Sequence, residues 1–465
     1  MDRNVALIIL DTVNKNYFDR YAPRLQSRSD CTFDQCKVTS SWSTPSHASI
    51  LTGELLHKHG VQSNSQSFDN VDPGDTFLGD LSDYHRICTT YHNLLQPRYS
   101  FDKFFDIHRS TGWRRVSDNV EFGNGINSYV RFLSELLRSG SPYTFAKNVE
   151  RGFWSIFEDK LLDFPYTKRP DAGASEITRI TKKETDRGPE PFCLVMNYVD
   201  AHSPYRVNKH LDPDLYSAPE TWEDQEFEVW EMEDNPEIDE KYTKNYRDLY
   251  GASIDYLDRR VSTLIDHIRQ SSDRETTILI TADHGHNLGH ADENYLFSHG
   301  SSMSEGVVHV PLEIVNPPSG FRENVPDFFS QLDLRELIVR IAKGRSDIDD
   351  LTGRPVVAEH EGMASPATKF DKFPGNEKEF EYWNRMIRVL YEGDVKYEWD
   401  SLGEVKKFRI DSDRPCRQEL IETGCEIPEA AEELFDVGIE EHKETVGMGE
   451  LDPDVAKDLK DLGYL

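Results

Sequence analysis

One stretch joins a nucleophile to a place for an anion: Ser43-Thr44-Pro45-Ser46-His47-Ala48-Ser49-Ile50-Leu51-Thr52-Gly53. A hydroxyl stands just ahead of Pro45, and a helix-forming run follows. Proline suits the first helical position, where its missing N–H has no partner anyway. Ser43 is therefore expected at the mouth of a helix, with free N–H groups and the positive dipole end facing any bound anion. Ser46 and Ser49 line the early turns, and Ile50, Leu51, Leu55 and Leu56 recur at helical spacing as an apolar face. A hydroxyl on such a site suits transfer of a phosphoryl or sulfuryl group. Taken alone, the stretch also reads as a well-capped surface helix.

Three further stretches end apolar runs with groups that bind cations or move protons: Asp11 after Val5–Leu10, Asp200-Ala201-His202 after Phe192–Val199, and Asp283-His284-Gly285-His286 after Thr277–Ala282. Two carboxylates, one imidazole and a hydroxyl oxygen (Asp11, Asp283, His284 and Ser43) make a mixed oxygen/nitrogen set. That set suits one divalent cation, with manganese or calcium favoured and magnesium or zinc also compatible. Such an ion lowers the pKa of a hydroxyl and steadies the charge on a transferred group. The leaving oxygen needs a proton, and histidine titrates near neutral pH. His202 and His299 are the candidate acids. His47, one helical turn beyond Ser43, is a candidate for binding the anion or orienting the nucleophile.

The apolar runs read as strands buried on both faces, as in a parallel sheet. Open α/β sheets bind ligands at the carboxyl edge, where all three runs deliver their polar residues. Tyr250, Ile254, Leu257, Val261, Leu264, Ile265 and Ile268 mark a long amphipathic helix between the second and third runs. A further strand is expected over Val307–Val315 and a helix over Leu332–Ala342. From about Gly344 to Gly375 polar, glycine and proline residues suggest a boundary. Beyond it, Met386–Tyr391 and Val395–Trp399 read as a hairpin, Phe408–Ile410 as a strand, and Ala430–Phe435 and Ala456–Leu462 as helices. The segment from Asn119 to Lys182 reads as a helical insertion, and Asp212–Asp239 as a solvated loop or lid.

The 465 residues allow a large domain plus a smaller one, here 1–345 and 346–465. With 53 Lys+Arg against 85 Asp+Glu, the net charge of −32 argues against nucleic acid or an anionic membrane as partner. The acids are spread along the chain, in the manner of halophile surfaces. No run is long enough to span a bilayer, and Val5–Leu10 is too short for a signal-peptide core, so a cytoplasmic location is expected. Cys31, Cys36, Cys88, Cys193, Cys416 and Cys425 show no metal-site spacing.

Taken together the motifs resemble the sulfatase family of the alkaline phosphatase superfamily. They are Ile8-Ile9-Leu10-Asp11-Thr12, the Ser43–Gly53 stretch with His59-Gly60-Val61, Asp200-Ala201-His202-Ser203-Pro204-Tyr205, Thr281-Ala282-Asp283-His284-Gly285, His299-Gly300 running into Val310-Pro311-Leu312, and Glu433-Leu434-Phe435-Asp436. The resemblance implies a three-layer α/β/α core on a mixed, mostly parallel sheet. A small C-terminal α+β subdomain with an antiparallel sheet would follow. It also implies metal ligation by Asp11, Asp283 and His284, with Ser43 at the nucleophile position. Many sulfatases carry an arginine where His47 stands, as part of the signal that turns the nucleophile into formylglycine, so no formylglycine is expected here. Thr12, His284 and His286 also depart from the calcium-dependent pattern, toward relatives that attack with an unmodified hydroxyl.

The expected function is a metal-dependent hydrolase of a small-molecule or glycan sulfate or phosphate ester. The alternatives are a transferase of phosphoglycerol or phosphoethanolamine type, acting on a glycan or lipid head group, and a binding module that lost the chemistry. The oligomeric state is left open.

Overall fold

A computed structural model describes residues 2–63, 65–110, 170–225, 230, 238–363, 373, 375–411 and 414–446. Most of the expected Asn119–Lys182 insertion, much of the Asp212–Asp239 lid and the Ala456–Leu462 helix lie outside them.

The main sheet is built from β1 (Asn4–Leu10), β2 (Cys31–Lys37), β3 (His85–Thr90), β4 (Ile107–Ser110), β5 (Phe192–Tyr198) and β6 (Thr276–Thr281). After a short hairpin, β7 (Asn287–Leu288) and β8 (Phe297–Ser298), it is completed by β9 (His309–Val315) and β10 (Asn324–Ser330). The strand order is β10-β2-β9-β6-β1-β5-β3-β4. All pairs are parallel except those of β9, which runs antiparallel to β2 and β6. Every residue of β1, β5 and β6 is buried, as continuous apolar runs require when helices cover both faces. The helices Lys15–Tyr21, Ala174–Thr185 and Glu240–Ser271 pack as one group, and Ser43–Thr52, Phe77–Asp80 and Leu334–Ala342 as another.

Register is what matters for the site. Leu10 of β1 pairs with Tyr198 of β5, and Ile9 with Thr281 of β6. The three strands thus end level, and Asp11, Asp200–His202 and Asp283–His284 leave the sheet side by side.

A second, antiparallel sheet has the order β11-β12-β13-β14-β15, from Val356–His360, Ile387–Glu392, Val395–Asp400, Val405–Ile410 and Gln418–Thr423. The expected hairpin is β12–β13, closed at Gly393 with φ +63°. The helix Ile439–Val446 lies beyond the expected helix, which runs over Glu429–Phe435. No helix among the described residues is long and apolar enough to cross a membrane.

Several expectations are corrected. Pro45 is the third residue of its helix, which begins at Ser43 after Trp42. Its missing N–H still falls among the first-turn groups that lack an intrahelical acceptor. That helix stops at Gly53, whose φ of +72° ends it in the left-handed region, so Leu55 and Leu56 are not on its face. It is also buried on all sides and so is no amphipathic surface helix. The strand expected from Val307 begins at His309, because Glu305–Val308 form a helical turn first. Within the polar stretch from about Gly344 to Gly375 lies β11 of the second sheet, where Glu359 and His360 are buried.

Candidate active site

The Ser43 helix carries its hydroxyl to the carboxyl edge of the sheet. Ser43 Oγ lies 3.1 Å from Nε2 of His284. His284 Nδ1 is 2.9 Å from the Gly285 carbonyl, which can only accept. The ring therefore holds its proton on Nδ1 and turns the Nε2 lone pair toward Ser43. Gly285 has no alternative: a Cβ there would stand 2.2 Å from the Gly306 carbonyl oxygen. Ser46, one turn along the helix, donates to the Asp283 carbonyl and ties the helix to the end of β6.

Asp283 is oriented through Oδ1, which accepts from the backbone N–H of His284 at 2.9 Å and of Thr12 at 3.2 Å. Its Oδ2 and Oδ1 of Asp11 are buried without a hydrogen bond. Ligand atoms of Asp11, Asp283 and His284 all lie within 4.8 Å of one another. Burial and the neighbouring Asp283 push the Asp11 carboxyl well above the usual range. Burial acts the same way on Asp283, but His284 and His47 outweigh it and hold that carboxyl below its ordinary value. Two desolvated carboxylates with outward lone pairs are costly unless a cation meets them. The trio fits a divalent cation by this test, and Ser43 Oγ adjoins it through His284.

His47 Nδ1 donates to the Ser43 carbonyl at 2.7 Å, and its Nε2 accepts from Asn197 Nδ2 at 3.3 Å. Both nitrogens are engaged within the protein, which suits His47 to orienting the first turn of the nucleophile helix. His299 stacks on His284 with ring centroids 4.1 Å apart, and His202 lies 5.7 Å from His299. Each donates Nδ1–H to a carbonyl: His299 to Ser41 at 2.6 Å, His202 to Ser203 at 2.5 Å. Burial lowers His202 to about 4 and His299 well below its ordinary value. Burial thus favours the neutral form of both rings in the free protein. His286 is committed elsewhere, 2.6 Å from the Tyr246 hydroxyl.

Two residues escaped the reading of motifs. His92, just past β3, accepts from Leu94 N–H on Nδ1, so its Nε2–H faces Asp11 Oδ2, 3.6 Å away. Asn197 places Nδ2 3.5 Å from the same oxygen while also reaching His47. Asn197 had a signal, being the one amide inside an otherwise apolar strand. His92 had none, because the strand before it, His85–Thr90, is short and mostly polar. All six cysteines are free; burial raises Cys31 and Cys36 to about 12, so neither thiol is reactive.

The family model Sulfatase matches residues 3–344. Choline-sulfatase of Rhizobium meliloti (strain 1021) is 22% identical over 341 residues, 68% of this chain and 62% of the relative. An uncharacterized sulfatase, YidJ, of Escherichia coli (strain K12) is 25% identical over 332 residues, 67% of this chain and 60% of the relative. The chain thus spans about three fifths of the length of these curated relatives. Among solved structures, BT4656, determined with its substrate D-glucosamine-2-N,6-O-disulfate, is similar at a TM-score of 0.58 and 13% identity, covering 98% of this chain and 99% of that one. The phosphonate monoester hydrolase SpPMH of Silicibacter pomeroyi is similar at 0.58 and 16%, covering 98% and 97%. These two likenesses establish the fold.

Proposed function

The chain belongs to the sulfatase family, and from that premise we propose that it is a metal-dependent hydrolase of a sulfate or phosphate ester, attacking with the unmodified hydroxyl of Ser43. The observation that carries the reading is the meeting of that hydroxyl with His284 at 3.1 Å, beside buried Asp11 and Asp283 oxygens that lack a hydrogen bond. Asp11, Asp283, His284 and Ser43 would hold the cation. A bound divalent ion supplies Lewis-acid stabilisation of charge on the transferred group and favours the ionised serine oxygen.

The chain's own residues do the rest. The first turn of the Ser43 helix presents backbone N–H groups to the anionic ester oxygens. Ser43 Oγ, its proton released to solvent as it ionises, forms a bond to sulfur or phosphorus as the bond from that atom to the leaving ester oxygen breaks, the oxygen keeping the electron pair. His202 or His299 delivers the proton to that oxygen. Both rings start neutral, and an anion bound beside them favours the charged imidazolium. Water then releases the group from Ser43.

Choline-sulfatase and the disulfated glucosamine of BT4656 support a small or sugar sulfate as substrate, and SpPMH supports a phosphorus ester. The absence of an arginine at His47 supports a serine that stays a serine. The test is Ser43→Ala. It is expected to lower kcat/KM toward p-nitrophenyl sulfate and bis(p-nitrophenyl) phosphate by about 10⁴-fold or more, with unchanged circular dichroism. Activity within tenfold of the parent would refute the nucleophile.

A further inference from the structure

His57, Glu359 and His442 come from three separate parts of the chain and meet at one point, with ligand atoms within 4.8 Å of one another. His57 lies in the short helix Leu56–His59 that follows the nucleophile helix. Glu359 lies on β11, and His442 on the helix Ile439–Val446. We propose that these three side chains form a zinc site, which clamps the second sheet and the C-terminal helix to the nucleophile segment.

The spacing supports an ion more than direct bonds. His57 Nδ1 is 3.9 Å from Glu359 Oε1, too far for a hydrogen bond, and His442 Nδ1 is 3.4 Å from Glu359 Oε2. Two ligands about 2 Å from one tetrahedral zinc stand about 3.3 Å apart, so small side-chain adjustments close the set. Glu359 is fully buried, and its Oε1 and both ring nitrogens of His57 lack a hydrogen bond. The other oxygen, Oε2, accepts from Arg388 Nε at 3.1 Å, which fixes the carboxylate and leaves Oε1 turned toward His57. Two imidazoles and one carboxylate are a zinc-type donor set, with a fourth position open to water.

The charges around the cluster balance: two buried carboxylates face Arg388, whose Nη2 lies 3.2 Å from His442 Nδ1, and Lys443. Glu361 Oε1 lies 3.4 Å from His442 Nε2, so two buried carboxylates flank this ring. The cations facing the cluster are Arg388 and Lys443, which donates to the Glu361 carbonyl. The clamp also has an anchor: Glu359 N–H donates to the Thr39 carbonyl at 2.9 Å, four residues before Ser43. Leu55, Val357, Leu390, Trp399, Ala431 and Phe435 pack as one apolar cluster over the same junction.

The experiment uses the full chain carrying Asp11→Asn and Asp283→Asn, so that zinc at the nucleophile site does not contribute. After loading with zinc and dialysis, this variant is expected to keep about one zinc ion per chain, and zinc is expected to raise its Tm. Adding His57→Gln, at a partly exposed position, is expected to remove both the ion and the Tm rise. An Asp11→Asn/Asp283→Asn chain that holds no zinc would overturn the proposal, as would an added His57→Gln that leaves the zinc in place. Should His57→Gln fail to fold, the cobalt(II) form of the first variant decides. Strong visible bands of a four-coordinate site are expected, and the weak bands of aqueous cobalt would contradict it.

Discussion

Proton placement explains most of the site at the level of single residues. His284, His299 and His202 all spend Nδ1–H on a backbone carbonyl and so offer Nε2 lone pairs. His92 is the reverse, with Nε2–H directed at Asp11. It is therefore a positioning group for that carboxylate and no ligand in this tautomer. Replacing His92 by Ala is expected to weaken metal affinity by about 10- to 100-fold, the usual effect of losing a partner of a ligating group. Calorimetric titration with manganese checks this, and the fold should persist. Nothing in Tyr91-His92-Asn93 distinguishes it from a turn, so this role becomes visible only when β3 is placed beside β5. Asp11, Asp283 and His284 could be read ahead, because each follows a long apolar run that had to be a central strand.

Whole elements were legible where burial is apolar and hidden where it is ionic. β1, β5 and β6 are runs of branched residues and declare themselves. β2 hides, because it contains Gln35 and Lys37, both buried. Lys37 Nζ is 2.6 Å from Glu305 Oε2. Tyr391 of β12 donates to Glu305, and Lys396 of β13 approaches it at 3.9 Å. This network joins the two sheets, and no periodicity announces it. Burial alone would raise the Glu305 carboxyl, but Lys37 and Lys396 reverse this and hold it at about 2. A folded value below the unfolded one means the stability is present above pH 4.5 and is lost as pH falls toward 2. The shift corresponds to about 3 kcal/mol. Glu305→Gln is therefore expected to lower stability at pH 7 and to flatten its fall between pH 5 and 2, as followed by urea unfolding.

The whole molecule depends on a register that no local signal encodes. The sheet edge and the helix mouth beside it bring residues 241 positions apart, Ser43 and His284, into contact at 3.1 Å. The topology was nevertheless readable, because the motifs occur in the order of the sulfatase family and those of Asp11, Asp200–His202 and Asp283–His284 follow central strands. The second sheet was harder. β15 is mostly exposed and β11 carries buried polar residues, so only the hairpin β12–β13, marked by the Glu392-Gly393-Asp394 turn, and part of β14 could be read. In the proposed reaction the Ser43 hydroxyl takes the transferred group onto itself. Rapid quenching during turnover of p-nitrophenyl sulfate or bis(p-nitrophenyl) phosphate, followed by peptide mass analysis, tests it directly. A sulfuryl or phosphoryl group is expected on the peptide containing an otherwise unmodified Ser43. A covalent group on another residue, or a Ser43 oxidised by loss of two hydrogens, would contradict it.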